Sequence, residues 1–371
     1  MDAQASRPFA PLARSPLATF AVTDRPVAVD AMGGDHAPAV VVEGAVWAAR
    51  ESGQPVALVG ERAQVEAELV RLGVASGALP IAVRHASEVV AMDEKGAASL
   101  RRKKDTSIRV CLEMVKVGEA AAAVSAGNSG AFMAIASLVL GRIEGVDRAA
   151  IAALLPSRVG RTVLIDAGAN VDCKPQHLVQ FAIMGDVFAG RVLGIQQPRV
   201  GLLTNGTEDA KGTDVTREAL ALLRRVKQMR FLGNVEGRDI FNGRADVVVC
   251  DGLLGNVALK TSEGLADAVR GMVREEIERR LLAKLGYLLI RPAFKAFERR
   301  VDYAEVGGAP LLGLDGVAIV SHGGSNARAI KNAVRAAAAF AASEANRHIR
   351  NDLARHEDLA GLRARPVVEA T

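Results

Sequence analysis

The stretch Val27–Pro38, VAVDAMGGDHAP, decides the fold. A β-prone apolar run ends in Asp30, and two adjacent glycines, Gly33 and Gly34, precede a segment that predicts a helix over 40–50. Paired glycines at a strand-to-helix turn let the backbone adopt positive φ and approach a ligand closely. The helix N-terminus behind them offers unpaired N–H groups and the positive end of a dipole. The stretch predicts either an anion site or a tight turn without a ligand, and by itself it leaves both open.

The same arrangement recurs along the chain, where short apolar runs lead into loops rich in Gly, Asp, Asn or Ser and then into segments with helical periodicity. This alternation predicts an α/β fold with a mostly parallel sheet and helices on both faces. Ligands of open α/β sheets bind outside the carboxyl ends of the strands, so we expect one shared cleft lined by several of these loops. The loops are 125–130, 166–170, 204–214, 251–260 and 321–328.

Length, composition and cysteine usage limit the class of protein. The 371 residues suffice for one large or two ordinary domains, and half of them are hydrophobic while only 4% are aromatic. A net charge of +5 is small against 47 basic and 42 acidic residues, so with few aromatic side chains we expect no nucleic-acid partner. Cys111, Cys173 and Cys250 are too widely spaced for a disulfide framework or a zinc site, which predicts a cytoplasmic setting and no metal.

Several loops approach known catalytic motifs without matching them. In the loop 204–214, Lys211 precedes the second glycine, so the spacing excludes a P-loop, although Lys211 can still meet an anion. No GxGxxG is present, and no GxSxG surrounds Ser129, so Asn128 and Ser129 are interpreted as hydrogen-bond donors to a ligand or as helix caps. Cys250 follows three valines and is interpreted as a buried strand thiol rather than a thioester-forming nucleophile.

A dense basic run, 101–104, precedes the N-cap-like triplet 105–107 and a segment that predicts a helix over 108–116. Charge runs of this kind are usually solvated helix starts. The alternative is a docking surface for an acidic partner, which the run would attract most strongly at low salt.

The segment 279–300 is strongly amphipathic, with seven basic residues, Glu298 as its only acid, and leucines at helical spacing. This pattern predicts a helix lying in an anionic lipid interface, and a helix packed on a dimer partner is the alternative. Pro292 should kink or break the helix, so we expect two pieces forming a hairpin-like arm within 270–305. The residues expected to bind the membrane are Leu281, Leu285, Leu288, Leu289 and Phe294.

These observations predict how the chain is divided. Prolines and arginines interrupt the residues 1–24, which predicts a disordered lead rather than a signal peptide. The longest near-apolar run, 131–140, is too short to span a bilayer, so we expect a soluble protein. We place one α/β domain, including the arm, at 25–345 and a tail at 346–371.

In combination and order, the loops resemble those of the bacterial phosphate acyltransferases of phospholipid synthesis. The resemblance covers roughly Val27 to Ala339 and implies a Rossmann-like α/β/α sandwich and a homodimer. It implies transfer of a fatty acyl group from acyl-carrier protein to inorganic phosphate, with the acyl phosphate passed to a membrane glycerol-phosphate acyltransferase. It also implies loose association with the inner membrane leaflet. The matching segments are VAVDAMGGDHAP, VSAGNSGAF, LIDAGAN, KGTD, DVVVCDGLLGNVALK and LGYLLIRPAFKAFERRVDYAEVGGAPLLG.

The chemistry of that reaction indicates which residues to expect in the site. Phosphate dianion is already a nucleophile and a thiolate leaves without full protonation, so no metal, cofactor or covalent intermediate is required. The protein has to position two anionic reactants and stabilise an oxyanion. Since many relatives have Phe at the position of His36, that residue is not expected to be catalytic.

We expect Lys260, Asn256 and His322 to be catalytic, with His322 protonating the thiolate or donating to the oxyanion. For each residue taken singly, a helix cap or a surface position is the alternative. The residues expected to bind substrate are Asp30, Gly33, Gly34, Asn128, Ser129, Asp166, Asn170, Asn205, Lys211, Asp251, Gly252, Gly255 and Ser325.

Two other functions fit the same sequence. One is a short-chain acyltransferase of the same fold class that uses coenzyme A in place of the carrier protein. The other is a non-catalytic, membrane-associated scaffold that binds a ligand.

Overall fold

The computed structural model describes residues 22–94 and 103–356. The lead up to residue 21, Arg101 and Arg102 of the basic run, and the tail from 357 lie outside the described residues. Within the described part the strands form one eleven-stranded sheet. The strands are β1 Val27–Asp30, β2 Val56–Gly60, β3 Ile81–His85, β4 Ala122–Ser125, β5 Ala150–Ser157, β6 Gly160–Ile165, β7 Arg199–Leu203, β8 Arg230–Val235, β9 Val247–Val249, β10 Ala309–Leu312 and β11 Ala318–Val320.

Helices follow most strands, and several begin at a polar cap that accepts a hydrogen bond from a first-turn N–H, as Asn128, Asp251 and Asn326 do. The helices are α1 Ala39–Ser52, α2 Arg62–Arg71, α3 Ser107–Lys116, α4 Ser129–Val139, α5 Pro175–Arg191, α6 Asp214–Leu223, α7 Asp239–Asn242, α8 Gly252–Arg279, α9 Leu281–Val301, α10 Ala327–Ala342 and α11 Ala345–Ala354, with a 3₁₀ turn at Tyr303–Glu305.

The strand order is β3-β2-β1-β4-β11-β10-β5-β6-β9-β7-β8. The first five strands of that order are mutually parallel. β10 is antiparallel to both β11 and β5, and β5 and β6 form an antiparallel hairpin. The last four strands, β6, β9, β7 and β8, are again parallel to one another but run opposite to β1. The sheet is therefore two parallel blocks of opposite direction joined through β10 and β5.

This reversal contradicts the expectation of one shared cleft. The loops after β1, β4 and β11 lie at one edge of the sheet, here called the β1 edge, whereas the loops after β6, β7 and β9 lie at the opposite β9 edge. Since β6 is six residues long, the two edges are roughly 20 Å apart along the strands. The expectation failed because a short hairpin turn at 158–159 and the strand β10, neither identified from the sequence, reverse the second block.

Apolar side chains on both faces of the sheet form the core. On one face α1, α5 and α10 bury residues such as Leu178, Phe181 and Phe340 against the strands. Where α1 crosses α10 the backbones approach closely, and a Cβ at Gly44 would lie 2.6 Å from the Cβ of Ile330. On the other face α3 and α4 cover the β1 block.

The described residues beyond 345 belong to the body rather than to a tail. Ala345, Ile349 and Leu353, on one face of α11, are fully buried in the cluster that α5 also enters. The expected tail from 346 is therefore wrong for 346–354, because these apolar residues at helical spacing were not recognised in a polar segment.

The arm is a pair of helices, but its break lies elsewhere than expected. Arg280, with φ −126° and ψ 123°, is extended and separates α8 from α9. Pro292 lies inside α9 and does not end it, which corrects the expected break at that residue. The missing N–H of Pro292 leaves the carbonyl of Leu288 without its helical donor, and both residues are solvent-exposed.

Asp186→Asn should stabilise the protein above neutral pH. Burial, and then the Asp352 carboxylate on α11, raise the pKa of Asp186 on α5 from 3.8 to about 6. With the folded pKa raised, stability is lost as the pH rises through about 6, where the carboxylate must charge inside the fold. The substitution should raise the free energy of unfolding at pH 8 by about 1–2 kcal/mol, less than the full shift implies because the group is partly exposed.

Urea unfolding at pH 8 and pH 3 measures this effect, and the gain should nearly disappear at pH 3, which lies below both the unfolded pKa of 3.8 and the folded pKa of about 6. Asp172→Asn, at an exposed carboxylate before α5, is the control. An equal gain at both pH values would contradict the electrostatic cause.

Candidate active site

Asp30 anchors the loop after β1. Its side chain is 1% exposed, and its Oδ2 accepts a hydrogen bond of 2.6 Å from the Ser125 hydroxyl at the end of β4. Its Oδ1 accepts from the N–H of Met32 at 3.2 Å. Burial raises the pKa of Asp30 above its ordinary value, and these hydrogen bonds oppose the shift. Asp30 therefore ties the loop after β1 to the end of β4 through buried hydrogen bonds.

The glycines of this loop are required by close contacts. A Cβ at Gly33 would overlap the Asp30 carboxylate and lie 2.8 Å from the N of Gly127. Gly34 has φ +114°, a conformation that side chains rarely adopt, and a Cβ there would lie 3.2 Å from the carbonyl oxygen of Gly323. The loops after β1, β4 and β11 therefore contact one another through backbone atoms.

The loop after β4 is held by the amide of Asn128. Its Oδ1 accepts from the N–H of Ala131 at 3.0 Å and caps α4, and its Nδ2 donates to the carbonyls of Met92 at 2.9 Å and Glu94 at 3.2 Å. Of the two alternatives for this residue, the structure shows the cap. Ser129, the first residue of α4, is exposed.

The loop after β11 completes the β1 edge. The N–H of Ser321 donates to the carbonyl of Ser125 at 2.8 Å, and its hydroxyl donates to the carbonyl of Gly307. His322 is exposed, and its Nδ1 accepts from the N–H of Gly324 at 3.1 Å. Ser325 is 4% exposed, and its hydroxyl has no hydrogen-bond partner among the described residues.

The electrostatics of the β1 edge favour an anion. The N-termini of α4 and α10 both open there, after strands that end side by side, and each presents unpaired N–H groups and a positive dipole end. The hydroxyl of Ser325 lies just before α10 and has a proton to donate. The β1 edge therefore offers an anion the backbone donors of helix N-termini, with the buried Ser325 hydroxyl just before one of them.

At the β9 edge the carboxylate of Asp166 organises its own loop. It accepts five hydrogen bonds of 2.7–3.1 Å, from the N–H groups of Ile151, Gly168, Ala169 and Asn170 and from the Asn170 side chain. Burial raises the pKa of Asp166 and the hydrogen bonds oppose that shift. Asp166 and Asn170 are buried, and every oxygen of the Asp166 carboxylate is already used within the protein.

The start of α8 packs directly on that loop. Asp251 caps the helix by accepting from the N–H of Leu254 at 2.8 Å. A Cβ at Gly252 would lie 2.7 Å from the N of Asn170, and one at Gly255 would overlap the carbonyl of Asp166. These two glycines therefore let the helix approach the loop.

Asn256 and Lys260 lie further along the same helix, and both are exposed. Asn256 packs over Gly168, while Lys260 forms an ion pair of 2.7 Å with Glu263. His322 is at the opposite edge. The expected catalytic trio is therefore not brought together within one chain.

The remaining candidates at the β9 edge are also accounted for. The Oδ1 of Asn205 accepts from the N–H of Gly212 at 2.9 Å and closes its loop, and Lys211 is exposed beside it. Cys250 is buried, and burial raises the pKa of its thiol well above the ordinary value. The interpretation of Cys250 as a buried strand thiol is confirmed.

Sequence reasoning missed a large cavity between the arm and the sheet. It has a volume of about 1080 Å³ and lies against β5 and β7 under α8 and α9. The signal was present in α8, where apolar residues recur at helical spacing on the side that lines the cavity: Leu254, Val257, Leu265, Val269 and Val273. Among the described residues, no group of three or more His, Cys, Asp and Glu side chains could hold a metal ion.

Solved structures share this fold. A phosphotransacetylase from Streptococcus pyogenes superposes with a TM-score of 0.61 at 20% identity, over 86% of this chain and 95% of that chain. The EutD phosphotransacetylase from Staphylococcus aureus gives 0.57 at 15% identity, over 86% and 95%. The chain has the α/β fold of the phosphotransacetylases, which confirms the predicted fold class.

Sequence comparison gives the family. Residues 26–348 match the family described as fatty acid synthesis protein. The phosphate acyltransferase of Geobacter sulfurreducens is 58% identical over 323 residues, 87% of this chain and 92% of the relative, and that of Geotalea uraniireducens is 57% identical over 327 residues, 88% and 94%. The chain belongs to the phosphate acyltransferase family, and the resemblance noted in the sequence is confirmed.

Gly33→Ala should be costly because the new methyl group would overlap the Asp30 carboxylate and crowd Gly127. We expect the free energy of unfolding to fall by about 1–3 kcal/mol. Gly264→Ala is the matched control, since no atom lies within 4 Å of the added methyl group, and it should stabilise α8 by about 0.5–1 kcal/mol. Urea unfolding measures both, and equal stabilities would contradict the close contact at Gly33.

Proposed function

We propose that the protein transfers a fatty acyl group from acyl-carrier protein to inorganic phosphate, giving acyl phosphate for phospholipid synthesis. The family supports acyl transfer to phosphate. Within the structure the main support is the β1 edge, where two helices begin and where the buried Ser325 hydroxyl, just before α10, has no partner among the described residues.

The proposed reaction is direct. Phosphate sits at the N-terminus of α10 with a hydrogen bond from Ser325, and one of its oxygens attacks the thioester carbonyl carbon. The new C–O bond forms, the C–S bond breaks, and the sulfur leaves with the electron pair. The proton of monohydrogen phosphate ends on that sulfur, giving acyl phosphate and the free carrier thiol. His322, exposed on the same loop, is placed to donate to the oxyanion or to relay the proton.

Asp30 and Gly33 have a positioning role in this scheme. They hold the β1 loop against the β4 loop, and the adjacent Gly34 contacts the β11 loop, so that the loops before α4 and α10 are kept in fixed positions. The roles once expected for Lys260 and Asn256 in the same centre are not proposed again, because both lie at the β9 edge.

Release of free carrier thiol from long-chain acyl-carrier protein, dependent on added phosphate, tests the function. A short-chain transferase would release thiol only from short-chain acyl-coenzyme A. A non-catalytic scaffold would release none. Either of those results would overturn the proposal.

Ser325→Ala should raise the KM for phosphate about tenfold with a smaller change in kcat, because it removes one hydrogen bond to a charged ligand. The matched control is Ser343→Ala at the other end of α10, where the hydroxyl donates to the carbonyl of Phe340 at 2.7 Å. Steady-state kinetics with phosphate as the varied substrate measures both variants. An unchanged KM for phosphate in Ser325→Ala would remove this residue from the phosphate site.

Acyl-carrier protein remains a proposed partner, and docking through the basic run remains a proposal for which the structure describes only Lys103 and Lys104. Lys103 forms an ion pair of 2.8 Å with Glu94 and donates to the carbonyl of Val89. Lys104 is exposed, and Arg101 and Arg102 lie outside the described residues.

We also propose a homodimer and peripheral association with the inner membrane leaflet through α9. Among the described helices, none combines the length and apolar character needed to cross a bilayer. On α9, Leu281, Leu285, Leu288 and Leu289 are between 61% and 84% exposed, beside the exposed bases Arg291, Lys295 and Arg299. Phe294 instead lies in a T-shaped contact with Tyr287, at 5.5 Å, and lines the cavity.

Leu288→Glu combined with Leu289→Glu should abolish sedimentation with anionic vesicles while turnover of acyl-carrier protein in solution persists. Each leucine buried in lipid contributes about 1.5–3 kcal/mol, so two decide between the bound and free states. Val70→Glu with Val117→Glu changes the charge equally at exposed sites on the body and is the control. Sedimentation of the α9 variant would remove α9 as the anchor, and conversion of a dimer to monomers would assign it to the subunit interface.

A further inference from the structure

The cavity under the arm spans the sheet from one edge to the other. Asn205 and Asp251 line it at the β9 edge, and Asp302 and Val306 line it near the β1 edge. Its middle is mainly apolar, with walls from β5, α7, α8 and α9. The apolar residues that line it include Leu154, Leu203, Ile240, Phe241, Phe294 and Phe297. Polar residues of α8 and α9, Ser262 and Glu298 among them, also border it. A cavity that is long and mainly apolar fits a long, apolar ligand.

Arg161 is a cation that borders this space, and among the described residues its guanidinium has the charge of Glu305 nearby but no hydrogen bond. It lies at the start of β6, opposite Pro156 of the hairpin, and it lines the cavity. Burial lowers the pKa of Arg161 below its ordinary value, although the guanidinium remains charged. In the described part of the chain its guanidinium makes no hydrogen bond, and the nearby Glu305 is already engaged with Arg328 at 3.4 Å. A largely buried guanidinium with five donors is costly unless an acceptor binds it.

The end of the cavity at Arg161 adjoins the proposed phosphate site. Val306 lines the cavity, and the next residue, Gly307, receives the hydrogen bond from the Ser321 hydroxyl at the base of the β11 loop. Arg328, in the first turn of α10, pairs with Asp302 and Glu305, which precede Val306 in the chain. Residues 302–307 therefore form the common wall between the cavity and the loop that carries His322 and Ser325.

We propose that this cavity is the acyl-chain subsite of the transferase, and that Arg161 binds oxygen atoms of the acyl head group, the thioester carbonyl in the substrate and the phosphoryl group in the product. The proposal rests on the proposed function, since it names where the chain of that substrate lies. The positive charge of Arg161 favours an acyl group over a second copy of the protein as the occupant of the cavity. A dimer partner would have to bury both an apolar surface and a hydrogen-bond acceptor for Arg161. The acyl chain then lies along β5, with its head group at the β1 edge.

Narrowing the middle of the cavity should change the preferred chain length. Ala266 on α8 lines the cavity, whereas Ala268, two residues along the same helix, is exposed and does not line it. In Ala266→Trp we expect kcat/KM for palmitoyl-carrier protein to fall at least tenfold relative to octanoyl-carrier protein. Ala268→Trp should keep the ratio of the native protein. An unchanged ratio in Ala266→Trp would overturn the proposal.

Arg161 is tested by binding and by kinetics. Arg161→Met should weaken the binding of palmitate at least tenfold, and Arg161→Lys should recover part of that loss. Palmitate binding is measured by fluorescence displacement in the absence of phosphate and carrier protein. In turnover, Arg161→Met should raise the KM for acyl-carrier protein more than the KM for phosphate. Equal palmitate affinity in Arg161→Met and the native protein would remove Arg161 from the subsite.

Two outcomes separate this proposal from others. If the native protein binds palmitate in this cavity but releases no thiol with phosphate, the proposed function fails while the subsite stands. If Ala266→Trp converts a dimer to monomers in sedimentation equilibrium and Ala268→Trp does not, a second copy of the chain occupies the cavity and the subsite is wrong.

Discussion

The antiparallel pairing of β5 with β6 is the constraint on which the rest of the structure depends. It reverses the second parallel block of the sheet, so that each edge receives the loops of only one block. The same reversal lets α8, which begins at the β9 edge, run along the sheet toward the β1 edge, where Asp302 and Val306 line the end of the cavity. A sheet with a single direction would place all the loops at one edge and would leave no long space under the arm for an apolar chain.

Short-range patterns predicted local structure well. The apolar run before Asp30 and the paired glycines after it lie where their residue types predicted, and Asn128 forms the cap that was one of its two alternatives, because strand, turn and cap preferences act within a few residues. Asp251, expected to bind substrate, is also a cap. The amphipathic arm was recognised for the same reason. Its break was misplaced, since an extended Arg280 carries no sequence signal and an exposed Pro292 can remain inside a helix.

The long-range arrangement of the loops and their side chains could not be predicted from such short-range patterns. Acidic and amide residues after strands were expected to bind ligands, yet Asp166 accepts five hydrogen bonds from its own surroundings and Asn170 is buried with it. A carboxylate that binds a ligand and one that holds a loop have the same local sequence, and only the three-dimensional neighbours distinguish them. The Ser325 hydroxyl, which has no hydrogen bond within the described part of the chain, and the half-buried Arg161 guanidinium became visible for the same reason, because satisfaction of a polar group is a property of the fold.

The packing of α1 against α10 has a consequence for synthesis on the ribosome. α1 is made early, yet the surface that receives Gly44 is supplied by Ala327 and Ile330, and α11 fills the same core later still. β11 likewise takes its place beside β4 only after most of the chain exists. Contacts between such distant parts of a chain form slowly. We therefore expect the first block to emerge from the ribosome with its apolar face uncovered until α10 is made, a stage at which exposed apolar surface favours aggregation.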